Sequence, residues 1–384
     1  MSTKAKAWKL YPGRPGDPDP SQLVLEDITL PRPSGDQVLA EPLYGCWAGN
    51  IGHALDRKPI DVCRQRREPW VVLGNVGLVR ILEVGDAVTD LRPGQLTMLF
   101  CSSEVDAYGY PIKALAYDAP GTMGCMATRM IIRRHELIPV PEHTRHPLPR
   151  WAAFSGASIT AWSNWELAFG TLRLQIGADE LADPWVFGWG GGTTLVELDL
   201  ARRQGCRVAQ ISGSEARRAL IEGQGVQAVD RSAFADLHFD EQRFATELDY
   251  RRAYLASEAA FEATVQRITA GAGVNIFVDY IGKPVHRATL KVLARQGVVT
   301  TAGWKLGMEL SFLRAAECIA RHQFINTHYA RYRQGLAAIA YAEAEGWLPP
   351  IDATIWDFEA IPALAGHVAD GAGGFFHVFA INPP

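Results

Sequence analysis

Short apolar runs broken by Gly, Pro and Asp open the chain. Residues 5–11 and 23–30 alternate apolar and polar positions on either side of a Pro/Gly/Asp loop at 12–20, and residues 38–43 repeat the pattern. Alternation sends one face of a segment into a core and the other into water, which predicts strands. The third run leads into a glycine-bearing loop, Tyr44-Gly45-Cys46-Trp47-Ala48-Gly49-Asn50. Residues 71–73 lead into Gly74-Asn75-Val76-Gly77, and the strand pattern of 78–84 stops at Gly85. A turn, Leu91-Arg92-Pro93-Gly94, precedes a further strand at 95–100. Many short strands joined by Gly/Pro turns predict a small barrel-like domain. Residues 101–121 read as a long Tyr-rich loop, 124–132 as a strand and 137–141 as its exit.

The period then changes. Residues 147–169 carry helical spacing rich in Ala and Trp. After them, Trp185-Val186-Phe187 ends in Gly188, Gly190, Gly191 and Gly192, and a helical pattern follows with Leu195, Val196, Leu198, Leu200 and Ala201. Gly205 stops that helix before a second strand at 207–211. Strand, glycine turn, helix and strand make the opening unit of a doubly wound dinucleotide-binding domain. A helix at 214–223 and a strand at 226–230 continue it, and the charged helical stretch 231–267 reads as a surface insertion. The buried run 274–280 stops at Ile281-Gly282, where a parallel strand delivers residues to the ligand end of such a sheet. Another helix and strand follow at 285–294 and 297–301, and 310–320 is again helical. The tail holds an amphipathic helix at 334–345, a short acidic helix after Trp356 and a closing strand at 375–381 that returns to the first domain.

The glycine turn carries the first chemistry. A pyrophosphate must approach backbone closely, and the helix N-terminus beyond the turn offers free N–H groups and a positive dipole end. Gly188-Trp189-Gly190 supplies the first two glycines of the G-x-G-x-x-G fingerprint, while Thr193 stands at the third. A plain structural turn is the competing reading, and the strand, helix and strand around the glycines favour the nucleotide. The candidate cofactor residues here are Gly188, Gly190, Gly191, Gly192, Thr193 and Thr194. At the end of the second strand an NAD site wants an acid for the ribose hydroxyl, whereas an NADP site wants cations and hydroxyls for the 2′-phosphate. The chain offers Gln210-Ile211-Ser212-Gly213-Ser214, no acid before Glu215, and then Arg217-Arg218. Ser212, Ser214 and Arg217 are the candidates for an NADPH phosphate. The alternative is that both arginines only solvate a helix face. Tyr280 and Gly303, at the ends of later strands, complete the cofactor set.

Composition narrows the class. With 384 residues the chain is long enough for two domains and a sizeable core. A net charge of −4 gives no electrostatic support for a nucleic-acid or anionic-membrane partner. No apolar run reaches the length of a membrane span. Residues 1–9 lack an apolar signal core, so a mature cytoplasmic protein is expected. The six cysteines are scattered, with no C-x-x-C and no clustered lobe. Free thiols in a reducing compartment are expected, with no disulfide framework, no structural zinc and no other metal.

Taken together, the barrel-like start, the inserted nucleotide domain and the returning tail resemble the medium-chain dehydrogenase/reductase superfamily over nearly the whole chain. The landmarks are Val84-Gly85-Asp86-Ala87-Val88-Thr89-Asp90-Leu91-Arg92-Pro93-Gly94, the glycine turn and Val278-Asp279-Tyr280-Ile281-Gly282. The resemblance implies an α/β fold, a GroES-like β-barrel catalytic domain plus a doubly wound Rossmann nucleotide-binding domain. The expected boundaries are 1–150 for the barrel, 151–330 for the NADP-binding domain and 331–384 for the return. Zinc-dependent members carry a Cys in the first loop and Gly-His-Glu after the next strand. Here Trp47 and Gly74-Asn75-Val76 stand there, and Trp, Asn and Val cannot replace a thiolate, imidazole and carboxylate. A closer likeness is to the crotonyl-CoA carboxylase/reductases, through Tyr44-Gly45-Cys46-Trp47-Ala48-Gly49, Val229-Asp230-Arg231 and Thr327-His328-Tyr329-Ala330-Arg331-Tyr332-Arg333-Gln334.

That likeness implies zinc-free hydride addition from NADPH to the activated double bond of an enoyl substrate, followed by proton delivery to an enolate. Tyr44 and His328 are the candidates for the proton donor or the enolate's orienter, and Asp118 aligns with an acid of the family's long loop. Tyr44 stands where the family places an Asn that helps hold carbon dioxide, so carboxylation is expected to be weakened or absent. Each residue has a plainer reading: Tyr44 as a packing tyrosine, His328 as a junction histidine and Asp118 as a solvated loop acid. The substrate expected is a small molecule or a carrier-bound enoyl group, and the enzyme a homodimer of secondary metabolism. Reductive carboxylation, carbonyl reduction, a redox-neutral step and a catalytically inactive cofactor-binding protein stay open as alternatives.

Overall fold

The structure, a computed structural model, describes every residue except 1, 15–20, 303–305, 308 and 328. The chain divides into two compact units, one of residues 1–159 with 330–384 and the other of residues 160–329.

In chain order the first unit contributes β1 (Thr3–Leu10), β2 (Leu23–Leu30), β3 (Gln37–Cys46), helices α1 (Gly49–Asp56) and α2 (Val62–Arg66), β4 (Val71–Val72), β5 (Gly77–Val84), β6 (Leu96–Leu99), β7 (Ser102–Val105), β8 (Pro111–Ala114), β9 (Met130–Arg133) and β10 (Leu137–Pro139). Helix α3 (Leu148–Gln175) carries the chain into the second unit. That unit holds β11 (Trp185–Trp189), α4 (Gly192–Arg203), β12 (Arg207–Ser212), α5 (Glu215–Gly223), β13 (Gln227–Asp230), α6 (Glu241–Thr246), α7 (Leu248–Thr269), β14 (Val274–Asp279), α8 (Lys283–Val292), β15 (Leu293–Thr301) and β16 (Phe324–Thr327). The return supplies α9 (Tyr332–Glu345), β17 (Trp356–Asp357), α10 (Ile361–Ala369) and β18 (Val378–Ala380).

Strand β3 is the spine of the first unit. It pairs antiparallel with β5, β9 and β18, within the order β10-β6-β5-β3-β18-β17. The returning tail is therefore hydrogen-bonded into the barrel, Cys46 opposite Val378 and Tyr44 opposite Ala380. The loop expected at 44–50 is corrected: Tyr44–Cys46 end β3, Gly49 and Asn50 start α1, and only Trp47 and Ala48 lie between. The β7–β8 hairpin occupies part of the stretch that reads as a long loop.

The second unit is a six-stranded parallel sheet in the order β13-β12-β11-β14-β15-β16. That order reverses beside β11, as in a doubly wound dinucleotide-binding sheet. Its core gathers Phe187, Trp189, Phe234, Tyr254, Phe261 and Phe277. The expectation of a surface insertion at 231–267 is corrected here. Helix α7 buries Tyr254, Phe261 and Val265 against that core. Their spacing of seven and four keeps them on one face, and the many charges of the other face mask it in sequence. The predicted helix at 310–320 is a π-helical turn over Arg314–Ala320.

Candidate functional site

The glycine turn is built by close packing. A Cβ on Gly188 would lie 2.3 Å from Cγ2 of Thr194, and one on Gly190 would lie 2.5 Å from its hydroxyl oxygen. Gly190 also has φ of +129°, which side chains rarely adopt. The residue that packs the helix down on the strand is thus Thr194, one position beyond the Thr193 that stands at the third fingerprint position. The Thr194 hydroxyl donates to the Trp189 carbonyl at 2.9 Å. Gly191 is the N-cap of α4, and no side chain caps that end, so the first N–H groups of the helix are left open. From β12, Gln210 donates through Nε2 to the carbonyls of Gly190 and Gly191, 3.2 Å each. The turn's carbonyls are thereby held back by protein, and its N–H groups are what remains for a ligand. Tyr280 follows β14; a Cβ on Gly190 would meet its Cβ at 3.4 Å.

The end of β12 gathers positive charge. Ser212 is buried, and Ser214 caps α5 by accepting from the N–H of Arg217 at 3.4 Å. Arg218 pairs with Asp230 at 3.1 Å. Arg231, just past β13, is placed beside them by the parallel pairing of Ser212 with Asp230. A Cβ on Gly213 would meet the Arg231 side chain at 4.0 Å. The Arg231 guanidinium lies 5.9 Å from the Trp189 ring centre. It is half-buried with no anionic partner among the described residues, and desolvation pushes its pKa down. In sequence Arg231 carries only the family likeness and is not a candidate site residue, because the period of a single strand does not say that β13 lies next to β12.

Two buried carboxyls border the same end of the sheet. Asp279 accepts from the N–H groups of Ile281 and Gly282 at 2.9 and 3.0 Å, which shapes the turn after β14. Burial still pushes its pKa up to about 6. Glu197, in the middle of α4, accepts from the Tyr280 hydroxyl through Oε2, and its Oε1 has no partner among the described residues. Burial pushes its pKa up to about 8, against the lowering effect of that hydrogen bond.

In the first unit, the Cys46 N–H donates to the Val76 carbonyl at 3.0 Å, so the first loop and the Gly74-Asn75-Val76 segment are tied together. Tyr44 is half-buried, and its hydroxyl has no hydrogen-bond partner among the described residues. Asp118 is engaged: its Oδ1 accepts from the Ala114 N–H at 2.6 Å and holds the turn after β8. His328 and Gly303 lie outside the described residues. A contact not anticipated in sequence sets His377 Nδ1 2.7 Å from Asp352 Oδ2, while the His377 carbonyl accepts from the Trp47 N–H at 2.9 Å. Burial pushes the Asp352 carboxyl up, but His377 and the N–H groups of Gly374 and Phe375 outweigh it and hold it low. Twenty-odd residues separate the partners, so no local spacing announces them. Among the described residues no three His, Cys, Asp or Glu side chains converge as a metal site.

No protein-family model matches the sequence, and no curated protein matches it. Solved structures do. The crotonyl-CoA carboxylase/reductase AntE in complex with NADP is 19% identical, with a TM-score of 0.81 over 99% of this chain and 95% of that one. The 2-octenoyl-CoA carboxylase reductase CinF, in complex with NADP and 2-octenoyl-CoA, is 17% identical, with a TM-score of 0.82 over 99% and 88%. A cobalt- and zinc-bound alcohol dehydrogenase from Pyrobaculum aerophilum is 15% identical, with a TM-score of 0.71 over 98% and 100%. The chain shares the α/β fold of these carboxylase/reductases and alcohol dehydrogenases, as the sequence resemblance implies.

Proposed function

We propose that this chain is an NADPH-dependent reductase that adds hydride to the activated C=C bond of an enoyl substrate without zinc. The observation that carries the reading is the Cys46–Val76 junction. On a fold shared with zinc-bound and NADP-bound enzymes, it presents Trp47, Asn75 and Val76, none of which can ligate zinc. The second unit fits an NADP group. Gly188 and Gly190 let α4 pack down on β11 through Thr194, and Gly191, Gly192 and Thr193 offer backbone N–H groups at the uncapped start of that helix. Arg231, Arg217, Ser212 and Ser214 would hold the 2′-phosphate. When bound, the dinucleotide supplies hydride to the β-carbon of the substrate.

The chain's own task is then to orient the enolate oxygen and protonate the α-carbon. Tyr44 is proposed for the proton, since its hydroxyl is not consumed by a protein partner, and His328 for orienting the enolate. Asp118 acts one step back, through the loop it holds. The proposed substrate is a CoA- or carrier-bound enoyl group. The resemblance also suggests a cytoplasmic homodimer of secondary metabolism. Reductive carboxylation is the second reading, favoured by the activity named for AntE and CinF.

The test is NADPH oxidation by the purified protein with a panel of enoyl thioesters, with and without bicarbonate and with NADH as control. A saturated product by mass spectrometry, formed without bicarbonate, is expected. A product heavier by one carboxyl group would replace this reading by the second. Absence of turnover across the panel despite NADPH binding would overturn both.

A further inference from the structure

Glu197 has no role in the chemistry above, yet it is fully buried on the helix that follows the glycine turn. One oxygen accepts the Tyr280 hydroxyl and the other has no partner among the described residues. Tyr280 is thus tied at both ends. Its N–H donates to the Trp189 carbonyl at 3.4 Å, its Cβ lies against Gly190, and its hydroxyl is fixed by Glu197.

The charged and titratable surroundings are sparse. Strand β11 carries none, and β12 offers Arg207, which pairs with Asp183 at the opposite end of the strand. Strand β14 offers Asp279, itself a buried carboxyl, with Tyr280 beyond it and Tyr329 near Tyr280. On α4 itself Asp199 is paired with Arg202 and Arg203. No cation pairs with Glu197 among the described residues.

We infer that Glu197 is a positioning residue of the nucleotide site: as a neutral acid it fixes Tyr280 against the glycine turn, and it must stay neutral for a dinucleotide to bind there. The inference rests on the nucleotide reading of the turn. A pyrophosphate docks where Gly191 starts α4, and Glu197 lies about 9 Å further along the same helix at ~1.5 Å per residue. A carboxylate so placed, inside protein and screened by no cation, repels the phosphates and opposes the helix dipole that attracts them. The neutral acid does neither. Its raised pKa agrees, since burial already disfavours the charged form before any ligand arrives.

Binding and protonation are therefore linked. NADPH titrations of wild type and Glu197→Gln between pH 6.5 and 9.5, by calorimetry in buffers of different ionisation enthalpy, test this. The Gln variant keeps an acceptor for Tyr280 and removes the titration. Wild-type affinity is expected to be level up to about pH 8 and then to fall toward tenfold per pH unit, with proton uptake on binding. E197Q is expected to hold the low-pH affinity throughout, with that uptake gone. Parallel wild-type and E197Q profiles would overturn the inference and leave the nucleotide reading standing. No NADPH binding at any pH would overturn both. A cofactor-free readout closes the test: the infrared difference between wild type and E197Q at pH 7 is expected to show a protonated carboxyl. A carboxylate signal instead would overturn the inference whatever the titrations give.

Discussion

Two buried glutamates in the second unit are built alike and held in opposite states. Glu258 on α7 and Glu197 on α4 each accept a tyrosine hydroxyl, from Tyr254 at 3.1 Å and from Tyr280. Glu258 adds two cations, Arg287 at 2.9 Å and Lys291 at 2.7 Å. Burial pushes its pKa up, but those partners outweigh it and the net shift is downward. Glu197 has only the tyrosine among the described residues and shifts upward. A tyrosine hydroxyl is not enough to keep a buried carboxyl ionised; a cation is. The paired glutamate fastens α7 to α8, and the other holds Tyr280 against the glycine turn.

The contrast is broken most forcefully through pH. Glu197 binds its proton more tightly folded than unfolded, so its folded pKa is raised. Stability is then greatest below the unfolded value of about 4.5, falls as pH rises to about 8, and levels off beyond. At pH 9, Glu197→Gln is expected to be more stable than wild type by a few kcal/mol (on the order of 1.4 per unit of pKa shift), and at pH 5 to be nearly equal. Urea denaturation at the two pH values measures it; equal gaps at both would show that Glu197 is ionised when folded.

Glu258 supplies the converse. Replacing Arg287 and Lys291 together by Met should leave it as bare as Glu197. The expected cost is about 2 kcal/mol at pH 7, less than for a fully enclosed pair because both cations are partly exposed. Glu258→Gln added to that double variant should recover part of the loss. No recovery would mean the cations act through packing.

Much of this was legible beforehand, and the illegible part has one cause. The glycine turn, β2 and the succession of strands and helices in the second unit follow from hydrophobic period and turn residues, which are local. Glu197 sits in sequence as one polar position of a helix, indistinguishable from a solvated one until α4 is laid on the sheet. Arg231 and the Asp352–His377 pair depend on which strands are neighbours, which the period of a single strand does not encode. The charges of α7 hid its apolar face for a related reason: three core positions among many charges satisfy burial, yet composition over the stretch reads as surface.

Arg231 extends the same contrast to a cation. It is half-buried over Trp189 with no anionic partner among the described residues, whereas Arg218 beside it is paired with Asp230. If unpaired buried charge marks the ligand's place, Arg231→Ala should weaken NADPH binding by about 10- to 30-fold and leave NADH nearly unchanged, because the lost contact is a charge-assisted one to the 2′-phosphate. Arg218→Ala should weaken both cofactors little. Fluorescence titration of each variant decides it, and equal losses for NADPH and NADH would move Arg231 from recognising phosphate to shaping the fold.

Ser214 gives the smallest effect and the finest discrimination. Its hydroxyl already accepts from the Arg217 N–H as the cap of α5. Ser214→Ala should therefore cost about 1 kcal/mol of stability. A hydroxyl can accept at the cap and still donate its own proton to a phosphate, so the cap does not preclude a part in binding. Ser214→Asp separates the two roles. It keeps a capping acceptor and a favourable charge at the helix N-terminus, but sets an anion where the 2′-phosphate would lie. Stability at or above wild type with selectively weakened NADPH binding is the expected outcome. Unchanged binding of both cofactors would confine Ser214 to its helix and leave the phosphate to the arginines.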